Sequence, residues 1–342
     1  MKNAERPRRF TECHRIPMIS LDSHRALVVA FAAFAGAPPL AAQELFVSNE
    51  GSNTVTVVSA TTLQPLATIE VGKRPRGIAL SPDRQRVYVA LGLEDAVAVI
   101  DVARRAVVDK LPAGPDPEQV AVSSDGRTVY VSNESAAGAS GIRVADRRQL
   151  FSVPVGKEPE GVGVTPDGRR VFVTGESDSS VTILDAQTGR LLGTLHVSAR
   201  PRFVTFDRAG DRAFVSSENG GTLSIIDVHR DTVLAVVHIG DGTTKPTGVA
   251  LSADGRRLYV ANGAGNRVTV IDPAAARILS AIEVGTRPWG VALSPDGATL
   301  YTADGRSNQI SVIDTQSGRV RATIPVGERP YSLVIVPDRT DH

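Results

Sequence analysis

The chain has 342 residues, with 38 Lys and Arg against 37 Asp and Glu. A balance this close to neutral argues against a nucleic-acid partner, which needs a basic face, and gives no charge reason for binding an anionic membrane. A single cysteine, Cys13, excludes a disulfide framework and a paired-cysteine haem attachment.

The first element is a leader. Ala26 to Ala37 is an uninterrupted small, apolar run preceded by Arg25. It is too short to span a bilayer, and Ala35-Gly36-Ala37 and Leu40-Ala41-Ala42 follow as cleavage sites. Residues 1–42 therefore read as a leader and secretory signal peptide, with Met18 as an alternative start. The implied location is periplasmic or secreted. The remaining 43–342 read as one domain, with 32 basic and 34 acidic residues and no thiol.

Past the leader the chain repeats. Pro75, Pro117, Pro159, Pro201, Pro246, Pro288 and Pro330 sit in equivalent phrases, 42 residues apart except for one interval of 45. A period of this length marks a repeat architecture. In one period, Ile78-Ala79-Leu80 is apolar, Ser81-Pro82-Asp83-Arg84 turns, and Val87 to Ala90 is apolar again. Val97 to Asp101 alternates after a loop, and Ala106 to Leu111 closes the unit. The runs are short, β-branched and bounded by Gly, Pro or Asp, so each reads as a strand. Asp101, Asp185, Asp227, Asp272 and Asp314 read as turn formers.

A four-stranded sheet of this size cannot bury both faces alone, and radial stacking solves that. The prediction is an all-β fold: a seven-bladed β-propeller of four-stranded antiparallel blades. Leu45 to Asn49 aligns with a second strand, and Ser332 to Val336 with a first strand that no blade follows. The C-terminal strand is expected to complete the N-terminal blade and leave no open edge. A solenoid is the alternative, but it would need capping repeats.

Strand parity places the seven proline phrases and the loops between second and third strands on one face. The residue after each proline reads Arg76, Glu118, Glu160, Arg202, Thr247, Trp289 and Tyr331; the residue before reads Arg74, Asp116, Glu158, Arg200, Lys245, Arg287 and Arg329. Neighbouring loops add Glu50, Glu134, Glu176 and Glu218. Two readings stand side by side. One is a solvated, salt-bridged rim, which contributes little. The other is a binding mouth built from Arg74, Arg76, Glu118, Glu158, Glu160, Arg200, Arg202, Arg287, Trp289, Arg329 and Tyr331. There, arginines suit carboxylates, and Trp289 and Tyr331 suit stacking or partner anchoring.

Catalytic signatures are sparse. His196 and His238 share an outer-strand position, so they form no metal cluster, and no Ser/His/Asp spacing or phosphate-cradling glycine loop appears. Glu118 and Glu160 are the one candidate acid/base pair. The reading therefore assigns no metal, no cofactor and no catalytic residue.

Phe46-Val47-Ser48-Asn49, Tyr130-Val131-Ser132-Asn133, Tyr259-Val260-Ala261-Asn262 and Tyr301-Thr302-Ala303-Asp304, with the Ser-Pro-Asp-Gly turn at Ser294, resemble the YVTN family of β-propeller repeats. The phrases around Pro117, Pro159 and Pro201, with Ser216-Ser217-Glu218, resemble periplasmic propellers associated with PQQ-dependent catabolism. That resemblance implies a non-catalytic binding or scaffold protein, accessory to alcohol oxidation. Its mouth would hold a small ligand or a partner such as a quinoprotein dehydrogenase or cytochrome system. The chain is not itself similar to the quinoprotein dehydrogenases, which carry eight blades and a tryptophan in most of them. Lactonases and streptogramin lyases share the seven-bladed architecture, so the alternative is a lactonase-like hydrolase or lyase acting at the same mouth.

Overall fold

The computed structural model describes residues 43–240 and 243–337. The leader, its cleavage sites, Cys13 and His342 lie outside them.

The described strands form seven four-stranded antiparallel sheets, with no helix among the described residues. No helix there is long and apolar enough to cross a membrane. Blade II shows the unit: inner strand Pro75–Leu80, second Arg86–Leu91, third Ala96–Asp101 and outer Ala106–Pro112. The inner strand opens on the proline itself, three residues before the apolar stretch. Proline has no donor to lose at a first strand position. Blades III to VII repeat this order over 117–154, 159–196, 201–238, 246–283 and 288–325.

Blade I is built from both ends of the domain. Pro330–Val336 pairs antiparallel with Glu44–Asn49, followed by Thr54–Ser59 and Pro65–Glu70. This closure excludes the solenoid and removes the open edge that either terminal strand would otherwise present.

The core lies between blades. Tyr88, Val97 and Val99 of blade II pack on Val120, Val129, Val131 and Ile142 of blade III. Phe172 and Ile183 of blade IV meet Val204 and Val215 of blade V. Each such side chain contributes about 1.5–3 kcal/mol on burial. The expected turn chemistry is present: Gly126, Gly168 and Gly297 adopt positive φ, and Asp185 accepts the N–H groups of Gln187 and Thr188.

Candidate functional site

A repeated irregularity builds the mouth. In blade II, Pro75 pairs with Leu91 and Ile78 with Val89, so one residue more lies on the inner strand than on its partner. The same shift recurs after Pro117, Pro159, Pro246 and Pro288, and, one residue shorter on both strands, after Pro201 and Pro330. A β-bulge bends its strand and re-aims a side chain. Here it lies at the residue after the proline in every blade.

A second device faces the first. Arg74, Asp116, Glu158, Arg200, Lys245, Arg287 and Arg329 all have φ between 51° and 62°. Each is a non-glycine residue in the left-handed region, where the backbone is strained by about 1 kcal/mol or more. Their carbonyls accept N–H groups from the loops between second and third strands. Glu134 donates to Asp116, Glu218 to Arg200 and Gly305 to Arg287, at 2.9, 2.7 and 2.9 Å. The proline phrases and these loops are thereby tied together on one face, as strand parity requires.

Inner strands also approach closely. A Cβ on Gly248 would lie 2.5 Å from the Trp289 carbonyl oxygen, and one on Gly161 would lie 2.8 Å from that of Arg202. Glycine is required there because backbone, not a flexible side chain, fills the space.

The side chains converge. Glu118 is 1 % exposed, Glu160 4 % and Arg76 9 %. Arg76 Nη1 contacts Glu50 at 3.0 Å, its Nη2 contacts Glu118, and Glu160 lies 3.9 Å away. Arg202 contacts Glu160, reaches Glu176 at 2.9 Å and holds Glu218 at 2.5 Å. Arg200 pairs with Glu176 and, at 3.2 Å, with Glu218. Trp289 and Tyr331 stack at 5.3 Å; Arg76 covers Tyr331 at 4.3 Å and Arg287 covers Trp289 at 4.8 Å. The contacts of Arg76 with Glu118 and of Arg202 with Glu160 are buried, so the picture of a solvated rim of weak surface pairs does not describe the centre.

The mouth encloses about 370 Å³, within the usual range for small-molecule sites. Arg74, Arg76, Glu160, Arg200, Arg202, Arg287, Trp289 and Arg329 line it, joined by Glu50, Glu134 and Arg306. Glu118 and Tyr331 are part of the network but do not line the cavity. Glu158 does neither: it is exposed, and its carboxylate accepts the Ser177 hydroxyl. Thr247 turns back to the chain and donates to the Trp289 carbonyl at 3.0 Å. Arg306 stands outside the proline phrases. Its signal is the second residue of each loop after the second strand, where other blades carry Gly51, Leu93, Ser135, Ser177, Asn219 and Ala264.

Charge is unevenly distributed. Asp116, Glu118 and Glu134 have the spacing of a cation site, but Arg74 occupies that role, 2.6 Å from Asp116 and 3.0 Å from Glu118. Glu160 and Glu176 both contact the guanidinium of Arg202. Burial pushes Glu176 up to about 8, against the pull of Arg202 and with Glu160 adding to it. Burial likewise raises Glu118, opposed by Arg76 and reinforced by Glu160. Across the cavity, Arg287, Arg306 and Arg329 have no carboxylate within ion-pair distance among the described residues. Burial pushes Arg287 below its ordinary value, and the guanidiniums of Arg306, Arg202 and Arg329 add to this. Arg76 Nε is buried without a well-directed hydrogen bond, whereas Glu118 Oε2, Glu176 Oε2 and Arg200 Nε, also without one, lie in ion pairs with Arg76, Arg202 and Glu176.

A sequence profile described as "Lactonase, 7-bladed beta-propeller" matches residues 45–199 and 194–330. No curated protein sequence matches the chain significantly. Among solved structures, the chain is similar to a putative 6-phosphogluconolactonase from Bacteroides fragilis, at 18% identity and a TM-score of 0.76, over 88% of this chain and 100% of that one. It is similar to Kuenenia stuttgartiensis hydrazine synthase at 23% identity and a TM-score of 0.72, over 83% and 98%. A putative 6-phosphogluconolactonase from Bacteroides uniformis gives 18% identity and a TM-score of 0.74, over 86% and 99%. At these identities the likeness speaks for the fold alone.

Proposed function

The chain belongs to the lactonase family of seven-bladed β-propellers, and from that premise we propose that its mouth hydrolyses a lactone or similar small cyclic ester. Family membership supports this reading over the non-catalytic scaffold expected from the repeat phrases. The observation that carries it is the pair of acids Glu160 and Glu176 held on one guanidinium, Arg202, with Arg200 also on Glu176 and Glu160 lining the cavity.

Burial keeps the Glu176 carboxyl protonated near neutral pH, its titration lying at about 8, and Glu160 shares Arg202 with it. Glu160 takes a proton from water as that water's oxygen bonds to the ester carbonyl carbon. The tetrahedral oxyanion is stabilised by a guanidinium of Arg200 or Arg202. The ring C–O bond then breaks, and the departing alkoxide takes the proton held by the other carboxyl. The product is a hydroxy acid, and the pair ends with one proton, as it began.

The test is turnover of a panel of γ- and δ-lactones, neutral, carboxylated and phosphorylated, followed by acid release. Hydrolysis that disappears in Glu176→Gln supports the proposal. A wild-type protein that opens none of them above the buffer rate removes it. Binding without turnover, with a quinoprotein or cytochrome partner, would then be the reading to pursue. We also propose a periplasmic or secreted location, on the strength of the apolar run Ala26 to Ala37.

A further inference from the structure

We infer that the mouth binds a small anion together with a proton, the anion against Arg287, Arg306 and Arg329 and the proton on Glu176, which Arg200 and Arg202 hold. The inference rests on the mouth being the binding site, and adds a linkage that hydrolysis does not require.

Three arginines line one wall of the cavity without carboxylate partners among the described residues. Arg287 is half-buried beside two of its own kind, and its guanidinium lies over Trp289 rather than an acid. Like charges out of bulk water repel, and an anion between them relieves that repulsion. On the opposite side Glu160 lines the cavity and shares Arg202 with Glu176. Glu176 faces Arg200, Arg202 and Glu160; Glu160 faces Arg202, Arg76 and Glu176, and feels the same buried network as Glu118 and Tyr331. Glu218, from the next blade, shares Arg200 and Arg202 with them.

Arg202 connects the two walls. It contacts both members of the pair, and its guanidinium lies 5.5 Å from the Trp289 ring. An anion at the arginine wall weakens the positive potential that favours an ionised carboxylate, so Glu176 gains a proton. Linkage is reciprocal: stripping the proton from Glu176 weakens the anion by the same factor. Burial of Glu176 places its titration at about 8, in a range open to measurement.

Sulfate is the probe, because it does not titrate in this range and cannot be hydrolysed. Calorimetry in buffers of different ionisation enthalpy counts the protons exchanged. Near pH 8 up to about half a proton is taken up per sulfate, rising toward one at higher pH, where affinity falls by up to about tenfold per pH unit. Arg287→Ala with Arg329→Ala weakens sulfate at least about tenfold, as expected on losing charge-assisted contacts. Glu176→Gln keeps sulfate binding but loses both the proton uptake and the pH dependence; if that variant does not fold, Glu176→Ala tests the same group. Sulfate binding without proton exchange overturns the inference, as does an unchanged pH profile in the Gln variant or no saturable binding at all. A protein that takes up sulfate with a proton yet opens no lactone keeps this inference and loses the hydrolase. Turnover without proton-linked sulfate binding does the reverse.

Discussion

Ser48 donates its hydroxyl to the carbonyl oxygen of Arg76 at 2.6 Å, across the boundary between blades I and II. The same hydroxyl accepts the Ser332 N–H at 3.1 Å, so one side chain ties the closing strand to the neighbouring blade. Ser132 and Ser216 make the equivalent bonds to the Glu160 and Thr247 carbonyls. Each bond holds a bulged mouth residue by its backbone. Ser48→Ala leaves a buried carbonyl without this partner and should cost about 1–3 kcal/mol. Equilibrium unfolding in denaturant measures it; a loss within error would show that the bond holds nothing.

The carboxyl of Glu176 sets a pH dependence of stability. Its folded-state titration lies near 8, above the ordinary carboxyl range of the unfolded chain. The folded protein therefore binds more protons between those values, and stability falls as pH rises across that window. Glu176→Gln should flatten the decline. Melting temperatures of both proteins at several pH values decide the matter, and parallel curves would contradict the assignment.

Asp304 ends the second strand of blade VII, where blades I, III and VI carry Asn49, Asn133 and Asn262. Burial raises its pKa, although hydroxyls of Ser311 and Thr302 donate to it at 2.6 and 2.8 Å. In the asparagine blades the side chain instead donates to the equivalent hydroxyl, as Asn262 does to Thr269 at 2.8 Å. Asp304→Asn should leave stability nearly unchanged at acid pH and raise it by about 1 kcal/mol above neutrality, where the buried charge must otherwise form. A variant destabilised at every pH would refute this.

Closure gives the bluntest prediction. Deleting residues from 332 onward removes most of the strand that pairs with Glu44–Asn49, and with it Leu333 and Val336 of two core clusters. The truncated chain should lose its cooperative melt and tend to associate through the exposed edge. Native melting of a monomeric truncated form would show that the ring does not depend on its closing strand.

The ring was legible in the chain because it is a one-dimensional regularity. A proline every 42 residues, short β-branched runs and Asp- or Gly-bearing turns are local signals, and a half-unit at each end leaves one way to pair the orphan strands. Even the variable slot after the proline could be read, as a break in an otherwise repeating phrase. Whether its side chains were solvated or buried could not, since burial depends on how seven bulges point across a shared axis. Glu158 and Glu160 are two residues apart and chemically identical, yet one is exposed and the other is 4 % exposed. Only the fold separates them, because the bulge turns one carboxyl inward and the left-handed backbone leaves the other outside. The meeting of Glu160 and Glu176 on Arg202 of the next blade, and the lack of a carboxylate partner for Arg287, Arg306 and Arg329 among the described residues, arise in the same way: it is the distance between blades, absent from any single repeat, that decides which charges are paired and which remain for a ligand.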